Sequence, residues 1–148
     1  MPVPEMTADD RWAVFDLIAR YAECVDEGDV EAYAGLFAPD GVVEHGSGRC
    51  EGRDEVRDWV AGLLAMNRIG PGSRLRHVMG TPIIRGNSEV CTARTYMMIP
   101  RQEEDGSVTL PLVGTYLDSC AKIDGRWLFT RRIIQMDLVA RPDPGRQG

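Results

Sequence analysis

Two residues in this sequence could pass a proton between them if the fold brings them together. His77 is one of only two histidines in the chain, the other being His45. It lies in Arg74-Leu75-Arg76-His77-Val78-Met79, where strand alternation places it on a face with Leu75, Met79, Thr81 and Ile83. That face is mostly apolar, so the ring is enclosed. An enclosed histidine is either a satisfied core residue or a proton carrier, since imidazole titrates near neutral pH. Asp26 closes an amphipathic stretch, about 80° round from Ile18 on a wheel of 100° per residue. Tyr21 lies on the opposite edge of the same apolar stripe. A carboxylate at a helix C-terminus faces the wrong end of the helix dipole. It is not needed as a cap either, because Asp29 can cap the helix that follows. The competing reading is a plain surface acid. Arg132 is the third candidate. It shares a strand face with Leu128, Thr130, Ile134 and Met136, and an arginine among apolar neighbours must find a carboxylate or a ligand. Arg131 is its rival, and alternation does not choose between them.

Other chemistries lack their residues. The chain has no G-x-S-x-G elbow, no G-x-x-x-x-G-K-[ST] loop and no G-x-G-x-x-G after a strand. Gly46-Ser47-Gly48 reads as a turn. Glu44, His45 and Glu51 make a poor metal set, because adjacent strand residues point to opposite faces. No cofactor is called for. Cys24, Cys50, Cys91 and Cys120 are widely separated and read as buried thiols. A net charge of −6 with no basic stripe argues against nucleic acid as a partner. No stretch reaches the roughly 18 apolar residues of a membrane helix, so no membrane partner is expected. The N-terminus has no signal-peptide pattern, which makes a cytoplasmic location the expectation.

The positioning elements follow from periodicity. The 148 residues suit one domain over 9–138, with a loose N-terminal arm at 1–8 and a flexible tail at 139–148. A first helix is expected from about Thr7 to Asp26, with Val14, Ile18, Tyr21, Ala22 and Val25 as its stripe and Gly28 as its stop. A second runs from Val30 to Phe37, capped by Asp29. Pro39-Asp40-Gly41 is a turn, Val42-Val43-Glu44-His45 a short strand, and Arg53 to Asn67 a third helix. Strand-like runs follow at 74–85, 89–101, 108–122 and 126–138. Gly86-Asn87 and Asp124-Gly125 make hairpins of the first and second pairs. Helices followed by a meander mean an α+β domain, with helices on one face of the sheet. In the last run Trp127, Phe129 and Ile133 point to one side and Leu128, Ile134 and Met136 to the other. Both sides are apolar, so one face meets helices and the other meets a second subunit in a homo-oligomer.

Arg20-Tyr21, Asp26-Glu27-Gly28-Asp29 and Leu36-Phe37-Ala38-Pro39-Asp40-Gly41 resemble the N-terminal signature of SnoaL-like proteins. Gly52-Arg53-Asp54-Glu55-Val56 is similar to the start of that family's third helix. Gly114-Thr115-Tyr116-Leu117-Asp118 and Asp124-Gly125-Arg126-Trp127 through Arg132 resemble its last two strands. The resemblance covers about residues 9 to 138. It implies a nuclear-transport-factor-like α+β cone: a strongly curved antiparallel or mixed sheet wrapped around N-terminal helices, with a deep central pocket. Scytalone dehydratase, hexachlorocyclohexane dehydrochlorinase and bile-acid 7α-dehydratase share this fold and an aspartate–histidine dyad, whose positions correspond to Asp26 and His77. Tyr21 corresponds to a tyrosine of the bile-acid enzyme, and Arg132 to an arginine of the dehydrochlorinase. Dyad-bearing relatives imply a trimer ahead of a dimer.

This resemblance implies a cofactor-independent lyase of dehydratase type, or an isomerase, a cyclase or a non-catalytic binder on the same fold. His77 would take a proton from carbon, Asp26 would fix its tautomer, Tyr21 would donate a hydrogen bond and Arg132 would steady negative charge. Phe37, Trp59, Leu63, Met79, Tyr96, Met98, Leu112, Tyr116 and Met136 are the expected lining for a small hydrophobic, ring-containing substrate.

Overall fold

The first helix, α1, spans Ala8–Glu27 in the computed structural model, which describes residues 1–141. The tail expected at 139–148 lies outside the described residues from 142 onward. Thr7 opens α1 through a capping box: its hydroxyl accepts the Asp10 N–H at 3.1 Å, and the Asp10 carboxylate accepts the Thr7 N–H at 3.1 Å. Asp10 does more than cap. It also takes Lys122 Nζ at 2.6 Å and the Trp127 indole N–H at 3.0 Å, fastening the helix start to the far strands. The hydrogen bond from Lys122, then those from Trp127 and Thr7, hold this carboxyl far below the usual carboxylate range. A lowered folded-state value contributes stability above the unfolded pKa of about 4, and that contribution drains away as the pH falls further. Asp10→Asn is therefore expected to unfold at lower urea than the wild type at pH 7, with the gap narrowing steadily below about pH 4. A gap that ignores pH would remove the carboxylate from this account.

At the other end, Gly28 adopts φ 72 and its N–H closes the helix on the Cys24 and Val25 carbonyls. A Cβ there would sit 2.8 Å from a Leu64 methyl, so glycine meets both the backbone and the packing demand. Helix α2 spans Val30–Ala34 and is capped by Asp29. It stops short of the expected Phe37 because that residue already begins strand β1, Phe37–His45. Pro39-Asp40-Gly41 is not a free turn. It is an irregularity inside β1, where the pairing register shifts between Phe37 and Val42. β1 turns back at Gly46-Ser47 into β2, Gly48–Glu51, a strand the periodicity does not foretell. Helix α3 then covers Arg53–Ala65.

The remaining chain makes β3 (Val78–Met79), β4 (Ile83–Gly86), β5 (Val90–Gln102), β6 (Val108–Ile123) and β7 (Arg126–Val139). The run expected at 74–85 is broken at Gly80-Thr81-Pro82, since proline cannot donate to a ladder. After the break the facing changes. Ile84 is buried and Ile83 exposed, so Ile83 does not share the His77 face as expected. The seven strands form one sheet in the order β2-β1-β7-β6-β5-β3, with β4 also on β5. β1 runs parallel to β7 and the other pairs are antiparallel. This α+β sheet curls round the helices, with register shifts in β5/β6 and β6/β7 that bend it.

Those shifts correct the expected facing of β7. Ser119 opposes Arg131 while Cys120 opposes Phe129, leaving Thr130 as an extra residue. A second shift leaves Asp137 unopposed, between Met136 and Leu138. Phe129, Arg132, Ile134 and Met136 consequently all turn toward the helices, although simple alternation puts Phe129 opposite the other three. The N-terminal arm is not loose along its whole length: Glu5 bridges Asn87, and the Ser88 N–H bonds the Pro4 carbonyl. No helix among the described residues is long and apolar enough to cross a membrane. All four cysteines are buried free thiols.

Candidate active site

Asp26 stands one residue before the end of α1, and His77 lies in the extended segment leading into β3. Three hydrogen bonds join them. The Asp26 Oδ1 atom meets His77 Nδ1 at 2.8 Å. The His77 backbone N–H reaches Oδ1 at 3.2 Å and Oδ2 at 3.0 Å. A carboxylate can only accept, so Nδ1 carries the proton and Nε2 the lone pair. Nε2 has no hydrogen-bond partner among the described residues. The segment carrying His77 is held by β5: the Arg76 N–H bonds the Pro100 carbonyl, Leu75 bridges Arg101, and the Gly80 N–H bonds the Tyr96 carbonyl. Both side chains of the pair are largely buried, at 8% exposure for His77 and 15% for Asp26.

His77 lines an apolar cavity of about 120 Å³. Tyr21 lines it too, together with Trp59, Leu63, Leu112, Tyr116 and Met136 of the residues named above for the lining. Val25, Tyr33, Val60, Ile69, Met97, Ile99 and Ile134 complete it. The other expected lining residues lie elsewhere. Phe37 is fully buried in the ring stack beneath, 5.5 Å from Tyr33 and 5.2 Å from Phe129 between centroids. Met79 lines a separate surface groove with Trp12, Phe15 and Ile18. Tyr96 and Met98 are on the outer face of β5, 63% and 44% exposed, while Met97 and Ile99 take the inward positions. The sequence held a signal for this: Thr92 and Arg94 share the face of Tyr96 and Met98, and Cys91, Ala93 and Thr95 that of Met97.

The Tyr21 hydroxyl accepts a hydrogen bond from the Tyr33 hydroxyl at 3.3 Å, which leaves its own proton for another acceptor. Burial pushes the Tyr33 and Tyr116 hydroxyls well above the ordinary tyrosine value, so both stay neutral. Arg132 is fully buried but does not line the cavity. Its guanidinium lies 4.0 Å from the Tyr21 ring centroid, 4.0 Å from that of Tyr116 and 4.4 Å from that of Phe129. Asp118 holds it in a fork, Nε to Oδ1 at 2.7 Å and Nη2 to Oδ2 at 2.6 Å. Burial works against the guanidinium charge, but the Asp118 carboxylate outweighs it and raises the arginine's proton affinity. Nη1 has no partner. Arg131 takes the opposite side and pairs with Glu44 at 2.7 Å. Glu44 also pairs with Arg49, and His45 Nδ1 with the Ser47 hydroxyl.

Asp118 is the site residue that reasoning from sequence missed. It stands directly opposite Arg132 in the β6/β7 pairing, but finding it requires the register beyond the extra residue at Thr130.

A helix-filled, curled mixed sheet with a side cavity at the end of the first helix defines a class, and the sequence matches it. The model of the SnoaL-like domain fits residues 6–133, so the chain belongs to that family. It is 30% identical over 132 residues to terephthalate 1,2-dioxygenase, terminal oxygenase component subunit beta 1, from Comamonas sp., covering 80% of this chain and 85% of that subunit. Among solved structures it is similar to a cystatin-like protein of unknown function from Nostoc punctiforme, 28% identical with a TM-score of 0.79, covering 90% of this chain and 95% of that one. A Novosphingobium aromaticivorans protein provisionally classed as a scytalone dehydratase shares the fold, at 22% identity and a TM-score of 0.75 over 89% of this chain and 87% of that one.

Proposed function

We propose that the Asp26–His77 pair catalyses a cofactor-independent elimination on a small hydrophobic, ring-containing substrate. The carrying observation is the 2.8 Å bond from a carboxylate to Nδ1 of a histidine that lines an apolar cavity. His77 Nε2 takes a proton from a carbon next to a carbonyl. The electron pair left behind forms the new double bond as the C–O bond at the next carbon breaks. The departing hydroxide takes a proton back from the imidazolium and leaves as water. Asp26 holds the tautomer and stabilises the imidazolium between those steps. Tyr21 donates its hydroxyl proton to the carbonyl oxygen. Arg132, one layer below, acts through the Tyr21 ring instead of touching substrate.

The test is a panel of cyclic β-hydroxyketones in deuterium oxide, followed by mass spectrometry. Loss of water above the uncatalysed rate supports elimination, and no solvent deuterium need enter beside the carbonyl, because the electron pair freed there goes into the double bond. Deuterium entry without a mass loss from dehydration points to the isomerase or cyclase use of the same pair. Neither event above the uncatalysed rate would overturn the proposal.

A second reading is favoured by the 30% identity to a dioxygenase β subunit. On that reading the chain is a subunit of an assembly and the pair is a tether. Both readings require a covered outer sheet face, where Tyr96, Met98, Val90 and Leu138 lie exposed. Sedimentation at micromolar concentration is expected to give a homo-oligomer, a trimer ahead of a dimer. A monomer that becomes oligomeric only with a larger second protein would support the subunit reading.

A further inference from the structure

We infer that the mouth of the cavity is a second compartment that recognises a carboxylate on the substrate through Arg68. The inference rests on the proton-transfer reading for the inner compartment. That inner space, about 120 Å³, is close to the roughly 150 Å³ of an apolar cavity that accepts one benzene ring. Anything larger than a single ring must project outward. An outer chamber of about 480 Å³ adjoins it and shares the walls Trp59, Leu63, Ile134 and Met136. A molecule threading from one to the other passes along Trp59, whose far environment is set by the His45 ring stacked on it at 4.4 Å and 9°.

The chemistry changes between the compartments. The inner walls are hydrocarbon and aromatic apart from His77 and the tyrosine hydroxyls. The outer chamber contains His45, Ser47 and Arg68. Ser47 and His45 satisfy one another at 3.0 Å. Arg68 does not share that arrangement: its side chain makes no ion pair and no hydrogen bond among the described residues. Arg49 by contrast pairs with Glu44 and Glu51, and Arg57 with Glu31 and Asp54. An unengaged guanidinium at the rim of an apolar slot suits a carboxylate, whose two oxygens match its fork of donors. The geometry thus assigns an amphipathic substrate: one ring held near His77 and an acid group outside at Arg68.

Two probes of the same shape test this, 2-naphthoate and the uncharged 2-naphthamide, titrated calorimetrically into wild type, Arg68→Gln, Trp59→Ala and His77→Ala. Wild type is expected to favour naphthoate by about fivefold at low ionic strength, the scale of a solvent-exposed ion pair, with the margin shrinking in salt. Arg68→Gln should abolish that margin and leave naphthamide binding unchanged. Trp59→Ala should weaken both probes. His77→Ala should keep the margin, so loss of catalysis and loss of acid recognition separate cleanly. A margin that survives Arg68→Gln, or a wild type that binds neither probe or both equally, overturns the assignment. Acid recognition without any proton transfer would leave the compartment standing and remove only the catalytic reading.

Discussion

His77→Ala is expected to slow elimination by about 10²–10⁴-fold, the range of a positioned general base. The loss follows from geometry. Nε2 is the ring nitrogen left with a lone pair because Asp26 holds the proton on Nδ1, and His77 is the imidazole lining the cavity. His45, the other histidine, is at the outer chamber and stacked on Trp59, so it cannot substitute. The fold should survive, because the backbone N–H of residue 77 still has the Asp26 carboxylate to bond. Turnover of the responsive β-hydroxyketone, measured beside the circular dichroism of both proteins, makes the comparison. Full activity in a folded variant would mean that His77 moves no proton. Asp26→Asn supplies the complementary readout: an amide can donate to Nδ1 and favour the wrong tautomer, so kcat should fall with little change in KM.

Asp118→Ala is expected to destabilise the protein by about 3–5 kcal/mol, the usual consequence of stripping one partner from a buried ion pair. The corresponding fall in Tm is on the order of 10 °C for a domain of this size. Arg132 and Asp118 are both fully buried and meet through two bonds, at 2.7 and 2.6 Å. Without the carboxylate, a guanidinium is left among Tyr21, Tyr116 and Phe129 with only ring faces for company. Replacing both partners, Asp118→Leu with Arg132→Met, should recover most of the loss, because no charge is then stranded. Urea unfolding of the single and double variants gives the numbers. A single variant within 1 kcal/mol of wild type would show the pair to be electrostatically idle. Were the double variant stable, its kcat would report what the cation beneath Tyr21 contributes to the chemistry.

The α+β class, the ends of α1, the start of α2 and the β6–β7 hairpin were legible because they rest on local signals. Thr7, Gly28, Asp29 and Asp124-Gly125 each mark a terminus or turn by its own chemistry. The Asp26 and His77 positions were legible from residue type and from the family resemblance, since alternation alone left His77 as easily a core residue. What failed to show was everything governed by register. Thr130 and Asp137 are ordinary residues in β7, and nothing in their types announces an extra position in the strand. Because of Thr130 the inner face of β7 passes from Phe129 to Arg132, and Asp118 meets its partner. The hydrophobicity of Tyr96 and Met98 points inward, although Arg94 on the same face marks it as the outer one. β2 escaped because Gly48–Glu51 is short, and its pairing with β1 is its reason to be extended.

Asp26 grips residue 77 twice, once through the imidazole and once through the main chain. One carboxylate therefore holds the ring and the main chain of the same residue, a rivet joining the end of a helix to the rim of a sheet. A descendant that abandoned chemistry could lose the imidazole at little mechanical cost, while the aspartate would still be pinning the rim in place. Drift in such a lineage should erase the histidine first and the acid late.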